Sequence, residues 1–140
     1  MTTDTITRAA DLLPTLYAAM DEHRFDDLAA LFTADVTATT PGGAMTGRDQ
    51  LVAQARRNHQ GVRHLQHLIA GVVEAPTPDG AELRANVVAV FGDDDGHPTY
   101  EVGDLWRGDA VVDGDGHWRI ASFTTTPVWS RGVRPVLPAG

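Results

Sequence analysis

The 140-residue chain has 19 acidic and 11 basic residues, for a formal net charge of −8, and it has no cysteine. So acidic a chain lacks the basic surface that phosphate binding needs, which excludes nucleic acid as the expected partner. The absence of cysteine excludes disulfides, thiolate catalysis and cysteine-ligated metal sites, and the length indicates one domain with its own core.

No targeting segment is visible in the sequence. The first residues, M-T-T-D-T-I-T-R, lack the basic start and apolar run of a signal peptide. No stretch approaches the roughly 18 consecutive apolar residues of a membrane-spanning helix. We therefore expect a cytoplasmic protein that does not associate with membranes.

The first part of the chain predicts three helices and one short strand. Apolar residues recur every three or four positions over residues 6–22, which predicts an amphipathic helix. Pro14 falls inside this pattern, where it either kinks the helix or moves its start downstream. Residues 25–32 and 50–58 predict a second and a third helix. Residues 35–40 are small and β-branched, which favours a strand.

The rest of the chain predicts strands separated by tight turns. Four segments have strand-like composition: residues 61–73, 81–91, 99–112 (with a break near Gly108-Asp109) and 117–129. Glycine, proline and aspartate mark the turns: residues 76–80, 92–98 and 113–116. Helices followed by hairpins indicate an α+β protein, in which three helices pack on a curved sheet and leave a pocket between the layers. We expect the domain to span residues 1–130, with a flexible or partner-wrapping tail at 131–140.

Histidines interrupt the apolar stretch 61–73. Side chains alternate between the two faces of a strand, so His67 shares a face with Leu65 and Ile69, whereas His64 lies on the opposite face. Apolar neighbours desolvate a histidine and can hold it near neutrality, where it takes or gives a proton. His67 is therefore a candidate acid–base residue, with a buried structural histidine as the alternative.

Two groups of side chains contain residue types that can bind metal ions, but the spacing of neither group fits a metal site. His59, His64 and His67 lie within nine residues, but the last two point to opposite faces of one strand. The acidic run at 93–96 lacks the twelve-residue spacing and terminal glutamate of a calcium loop, so it indicates a solvated turn. We expect no metal and no cofactor.

Several segments carry a family resemblance: residues 17–32 (Y-A-A-M-D-E-H-R-F-D-D-L-A-A-L-F), 47–51 (G-R-D-Q-L), 66–69 (Q-H-L-I) and 115–120 (D-G-H-W-R-I). They resemble the SnoaL-like and scytalone-dehydratase-like branch of the nuclear-transport-factor-two-like superfamily, over roughly residues 8–130. The resemblance implies a cone-shaped fold with three N-terminal helices on a strongly curved, mainly antiparallel sheet that encloses a pocket. It also implies a homodimer formed through the sheet.

The resemblance also implies a catalytic pair. In enzymes of this branch, an aspartate late in the first helix orients or activates a histidine on the first long strand, and these roles fall on Asp21 and His67. A carboxylate bonded to one ring nitrogen fixes the tautomer and leaves the other nitrogen free as acid or base. Met20 replaces a family tyrosine, and an apolar residue near Phe91 replaces the family's second histidine. These departures argue against a dehydratase with the full family constellation.

The strand 99–112 offers two carboxylates as a second proton carrier. Asp104 shares a face with Tyr100 and Trp106, whereas Glu101 lies on the other face, so at most one of the two carboxylates faces the pocket. Asp104 has the aromatic neighbours of a pocket wall, and Glu101 would need a register shift. The side chains that we expect to contact a substrate are Tyr17, His64, Asn86, Phe91, Tyr100 and Trp106.

The leading hypothesis is a cofactor-independent enzyme that performs dehydration, isomerisation or cyclisation on an apolar, cyclic or polyketide-like small molecule. A non-catalytic small-molecule-binding or assembly module of the same fold is the alternative. It is favoured by the absence of two family tyrosines, which Met20 and the pair Thr39-Thr40 replace. The small subunit of a ring-hydroxylating oxygenase is a weaker third interpretation, because such subunits are usually longer.

Overall fold

The computed structural model describes residues 5–135, which form two α-helices, three single 3₁₀ turns and one six-stranded sheet. The helices are α1 (Leu12–Asp21) and α2 (Arg48–His59), and neither is long and apolar enough to cross a membrane. The strands are β1 (Phe32–Thr40), β2 (Gly43–Thr46), β3 (His64–Thr77), β4 (Gly80–Gly92), β5 (Pro98–Val112) and β6 (Trp118–Gly132). Their order is β2-β1-β6-β5-β4-β3, antiparallel throughout except for β1 and β6. The predicted α+β class, with helices on a mainly antiparallel sheet, is confirmed.

Helix α1 begins later than the apolar pattern predicts. A 3₁₀ turn, Ala9–Asp11, precedes it, and the α-helix proper starts at Leu12. Pro14 therefore lies in the first turn, where a backbone N–H has no partner within the helix and its absence costs no hydrogen bond. Of the two effects predicted for Pro14, a kink in the helix or a later helix start, the structure shows the later start.

Two short elements differ from the prediction. The second helix, expected at 25–32, is a pair of 3₁₀ turns, Phe25–Asp27 and Ala29–Leu31. A segment this short gains little from helical hydrogen bonds, and its form follows the burial of Phe25, Leu28 and Leu31. Strand β2 was not predicted, because four residues are too few to show an alternating pattern.

The helices cover one face of the sheet, called here the inner face. Helix α1 packs on β3 and α2 on β1. Strand β4 directs five apolar residues inward, as predicted: Leu83, Ala85, Val87, Ala89 and Phe91. Irregular register in β3, β5 and β6 bends the sheet, and one shift lies between Asp109 and Ala110, at the predicted break. Strand β6 extends to Gly132, so the predicted tail begins inside the sheet, and residues 136–140 lie outside the described part of the chain.

Two hairpin turns share the sequence D-x-D-G-H, at residues 93–97 and 113–117. In each turn, Oδ1 of the first aspartate accepts hydrogen bonds from the backbone N–H groups two and four residues later, at 2.9–3.0 Å. These bonds explain why ligand atoms of Asp93, Asp95 and His97 lie within 4.8 Å of one another. The acidic run is a solvated turn, as the sequence indicates.

His117 distinguishes the second turn, because its buried ring joins two distant segments. Its Nδ1 accepts a hydrogen bond from the Ile6 N–H at 3.1 Å, and its Nε2 donates to the Ala30 carbonyl at 2.8 Å.

We expect His117→Ala to lower the free energy of unfolding by about 2 kcal/mol, because both backbone groups lose their partner. Urea denaturation measures this loss. His97→Ala, in the exposed copy of the turn, is the matched control, and equal losses in the two variants would contradict the prediction.

Candidate acid–base site

Asp21 and His67 meet on the inner face of the sheet. Asp21 is the last residue of α1, and its Oδ1 accepts a hydrogen bond from Nδ1 of His67 at 2.6 Å. Its Oδ2 accepts a second one from the backbone N–H of His67 at 2.8 Å. The side chains of His67 and Asp21 are 6% and 20% exposed. Since an ionised carboxylate can only accept, Nδ1 carries the ring proton and the neutral ring keeps its lone pair on Nε2.

The end of α1 is fixed against the segment that leads into β3. Directly after the helix, His23 adopts a φ of 56°, in the left-handed region that non-glycine residues rarely occupy. Its Nε2 donates a hydrogen bond to the Val62 carbonyl at 3.0 Å. Val62 is buried, and His67 follows it by five residues. This hydrogen bond fixes the end of α1 beside the segment that leads into β3. It therefore helps to hold Asp21 where its carboxylate accepts both hydrogen bonds from His67.

The second ring nitrogen of His67, Nε2, makes no hydrogen bond within residues 5–135. The Tyr17 ring packs against the imidazole, with centroids 4.5 Å apart. Burial raises the pKa of Tyr17, and the charges of Asp104 and Asp21 raise it further, so its hydroxyl stays protonated. Tyr17 therefore borders the pair and supports one side of the ring.

Asp104 lies on the same inner face, two strands away from His67. His67 pairs with Ala89, Ala89 pairs with Val102, and Asp104 is the next inward position after Val102. Burial raises the pKa of Asp104, against the lowering effects of His67 and Arg134, and its Oδ1 is buried without a hydrogen-bond partner within residues 5–135. Asp104 is thus a half-buried carboxyl group whose pKa lies above its usual value.

Replacing Asp104 should stabilise the fold. A carboxyl whose pKa is raised in the folded state lowers stability above that pKa, and the penalty disappears as the pH falls below the unfolded value near 4. We expect Asp104→Asn to raise the free energy of unfolding by about 0.5–1 kcal/mol at pH 7, a small gain because the side chain is only half-buried. Urea denaturation at pH 7 and pH 3 tests this expectation. The exposed Asp35→Asn is the control, and a loss of stability in Asp104→Asn would contradict it.

Three predicted site residues lie on the outer face of the sheet, away from the pair. Glu101 accepts a hydrogen bond from Arg131 at 2.6 Å. Asn86 is exposed, between inward neighbours in β4. His64 is exposed as well, with Nε2 3.3 Å from the Asp94 carbonyl oxygen. Strand alternation turns all three side chains outward, so the structure does not bring the predicted proton carrier Glu101 or the predicted substrate contacts Asn86 and His64 to the pair.

The predicted aromatic residues lie on the inner face and divide into two groups. Phe91 and Tyr100 contact each other across β4 and β5, with ring centroids 5.6 Å apart, in a small cluster that includes Ala89. They border the end of the sheet on which His67 lies. Trp106 is fully buried and stacks on Phe123, with centroids 5.4 Å apart. Its Nε1 makes no hydrogen bond within the described residues, and Trp106 belongs to the main core.

His59 also reaches the site, which the sequence interpretation missed because it considered this residue only as a metal ligand. It ends α2, and its ring centroid lies 6.1 Å from that of His67. Its Nδ1 donates a hydrogen bond to the Ala55 carbonyl at 2.7 Å. The spacing of Leu51, Ala55 and His59 at steps of four gave a signal, since it places His59 on the packed face of the helix.

Two clefts in the described residues lie elsewhere. One, of about 270 Å³, is bordered by β1, α2 and the turn at 113–117, and the other, of about 240 Å³, by β1, β5 and β6. Neither is lined by Asp21 or His67. A substrate-sized pocket between sheet and helices stays a prediction.

A family model described as a SnoaL-like domain matches residues 2–124. No curated protein sequence matches the chain. Among similar solved structures, a putative scytalone dehydratase from Novosphingobium aromaticivorans shares 18% identity over 91% of this chain and 86% of that chain, with a TM-score of 0.78. The hexachlorocyclohexane dehydrochlorinase LinA-type3 from Novosphingobium barchaimii shares 13% over 93% and 90%, with a TM-score of 0.75. The Kfla4162 protein from Kribbella flavida shares 22% over 86% and 88%, with a TM-score of 0.76. Identities this low establish the fold alone.

Proposed function

The chain belongs to the SnoaL-like domain family, and on this premise we propose that it is an acid–base enzyme acting on a small, apolar, cyclic or polyketide-like molecule without a cofactor. The observation that carries the proposal is the two-point contact between Asp21 and His67, which leaves Nε2 of His67 as a free base. A base held in one tautomer inside a mostly apolar face suits the removal of a proton from carbon next to a carbonyl group.

In the proposed reaction, Nε2 of His67 takes the proton from the carbon atom, and the Asp21 carboxylate stabilises the imidazolium that forms. Burial raises the pKa of Asp104. In its protonated form the Asp104 carboxyl group hydrogen-bonds the substrate oxygen where negative charge develops, which in a dehydration is the oxygen of the leaving hydroxyl group. In a dehydration, the C–O bond breaks and the Asp104 proton leaves with the hydroxyl group as water. Asp104 then regains a proton from solvent and His67 releases one. Each proton transfer contributes about 10²- to 10⁴-fold to the rate.

The similar structures support an elimination within this reaction class. A putative scytalone dehydratase and a dehydrochlorinase are named for eliminations. Their shared fold with this chain makes dehydration the first reaction to test, ahead of isomerisation and cyclisation.

Exchange of carbon-bound protons tests the proposal, because removal of such a proton is the common first step. We expect the protein to accelerate deuterium incorporation next to the carbonyl of at least one member of a panel of cyclic ketones and β-hydroxyketones in D₂O, followed by proton NMR. Dehydration of a β-hydroxyketone would add the ultraviolet absorbance of a conjugated ketone. No acceleration for any member would contradict the proposed enzyme and leave the non-catalytic binding module as the function to test.

We also propose that the outer face of the sheet pairs with a second copy of the chain. Leu68, Val88, Gly103 and Trp129 are partners in register across β3, β4, β5 and β6. The Trp129 indole lies on Gly103, where a Cβ would come within 2.2 Å of it. Leu68 and Trp129 are 51% and 45% exposed, so this apolar row faces solvent in a single chain.

Light scattering after size-exclusion chromatography tests the pairing. We expect a dimer mass for the wild-type protein and a monomer mass for Leu68→Glu, because pairing would bury the new charge within the apolar row. Val112→Glu, at another exposed apolar position, is the control and should stay dimeric. A wild-type monomer would contradict the proposal.

A further inference from the structure

Helix α2 brings a second imidazole beside the acid–base pair. The rings of His59 and His67 are 6.1 Å apart between centroids, with their planes inclined by 53°. The helix is anchored near this end, because Arg56 pairs with Asp26 at 2.7 Å and lies over the Phe25 ring at 5.4 Å. His59 is therefore held next to the site by packing of the helix that carries it.

The hydrogen bonding of His59 decides which ring nitrogen is available. Nδ1 lies 2.7 Å from the Ala55 carbonyl oxygen, which can only accept, so Nδ1 carries the proton. In the neutral ring the lone pair is then on Nε2, which makes no hydrogen bond within residues 5–135. His67 has the same arrangement, because its Nδ1–H donates a hydrogen bond to Asp21. Two neighbouring rings thus each offer an acceptor, and neither can donate to the other.

The groups around His59 keep its ring neutral. Burial lowers the pKa of His59, and the charges of His67 and Arg134 lower it further. The Ala55 carbonyl and the Asp21 carboxylate act in the opposite direction, and the net shift is downward. At neutral pH the ring can therefore accept a hydrogen bond at Nε2 but cannot supply a proton there.

We propose that Nε2 of His59 accepts a hydrogen bond from a hydroxyl group of the substrate, while Nε2 of His67 takes the proton from carbon. The inference rests on the proposed function and adds a chemical class to it, because the substrate is then a hydroxyl-bearing cyclic molecule. A ligand without a donor leaves a desolvated acceptor unpaired, so the site selects against it.

A pair of bicyclic probes that differ only in the donor tests this inference. 2-Naphthol carries the hydroxyl group, and 2-methoxynaphthalene has a methyl group in place of its proton. We expect 2-naphthol to move the ¹⁵N resonance of His59 Nε2 in the histidine-labelled full chain and to bind about tenfold more tightly than the ether. The ether should leave that resonance in place.

Two variants separate a direct contact from a structural role. His59→Phe keeps an aromatic ring and removes the acceptor, so its affinity for 2-naphthol should fall about tenfold, to that of the ether, while the affinity for the ether is unchanged. His64→Phe removes an outward imidazole and should change neither affinity. Any of three results would overturn the proposal: equal affinity of the wild-type protein for both probes, equal losses of affinity for both probes in His59→Phe, or binding of neither probe. Binding is read independently of turnover, so selective binding without deuterium exchange would contradict the proposed function alone.

Discussion

The His67→Gln variant should lose about 10²- to 10⁴-fold of the wild-type rate of deuterium exchange next to a substrate carbonyl. Glutamine has no basic nitrogen, so it cannot take the proton that Nε2 takes. It keeps the backbone N–H that donates to Asp21 Oδ2 at 2.8 Å, so the end of α1 stays attached to β3. The rate loss is measured by proton NMR in D₂O, on the ketone that the wild-type protein exchanges fastest.

The control for this variant lies three residues upstream on the same strand. His64→Gln makes the same chemical change on the outer face, where the imidazole contacts the Asp94 carbonyl and not the site. Its exchange rate should stay within about twofold of the wild-type rate, as for surface substitutions away from the chemistry. If both variants kept full activity, or if both lost it equally, His67 would not be the base.

Strand alternation predicted the inner face correctly wherever it was applied consistently. It placed Leu83, Ala85 and Val87 inward in β4, and the structure buries all three. The same alternation turns Asn86 outward, yet Asn86 was expected to contact a substrate. His64 is a comparable case, because the argument that put His67 inward also put His64 outward. Both polar residues were assigned to the site without applying the strand period to them.

The sequence could not predict features that depend on distant contacts. The form of the segment 25–31 follows its burial more than its own helical preference. Between Asp104 and Glu101, the choice needed the register of β5 against β4 and β3, which aligns Asp104 with the His67 side of the sheet. His59 showed a helical spacing, but no pattern in the sequence indicates which strand the end of its helix approaches.

Asp21→Asn should lower the same exchange rate by up to about 10⁴-fold, the loss known for an aspartate-to-asparagine change in a serine protease triad. An asparagine that places its amide nitrogen at the position of Oδ1 donates to Nδ1 of His67, so the ring proton moves to Nε2, where the base must have its lone pair. The fold should survive, because the remaining amide oxygen still accepts from the His67 N–H. The tautomer is read from ¹⁵N NMR of the histidine ring, and the shift of the proton to Nε2 should accompany the rate loss. Asp27→Asn, at the carboxylate that pairs with Arg24 at 2.6 Å, is the matched control and should change neither measurement. A rate loss with the tautomer unchanged would show that Asp21 acts through its charge alone, and an unchanged rate would remove it from the mechanism.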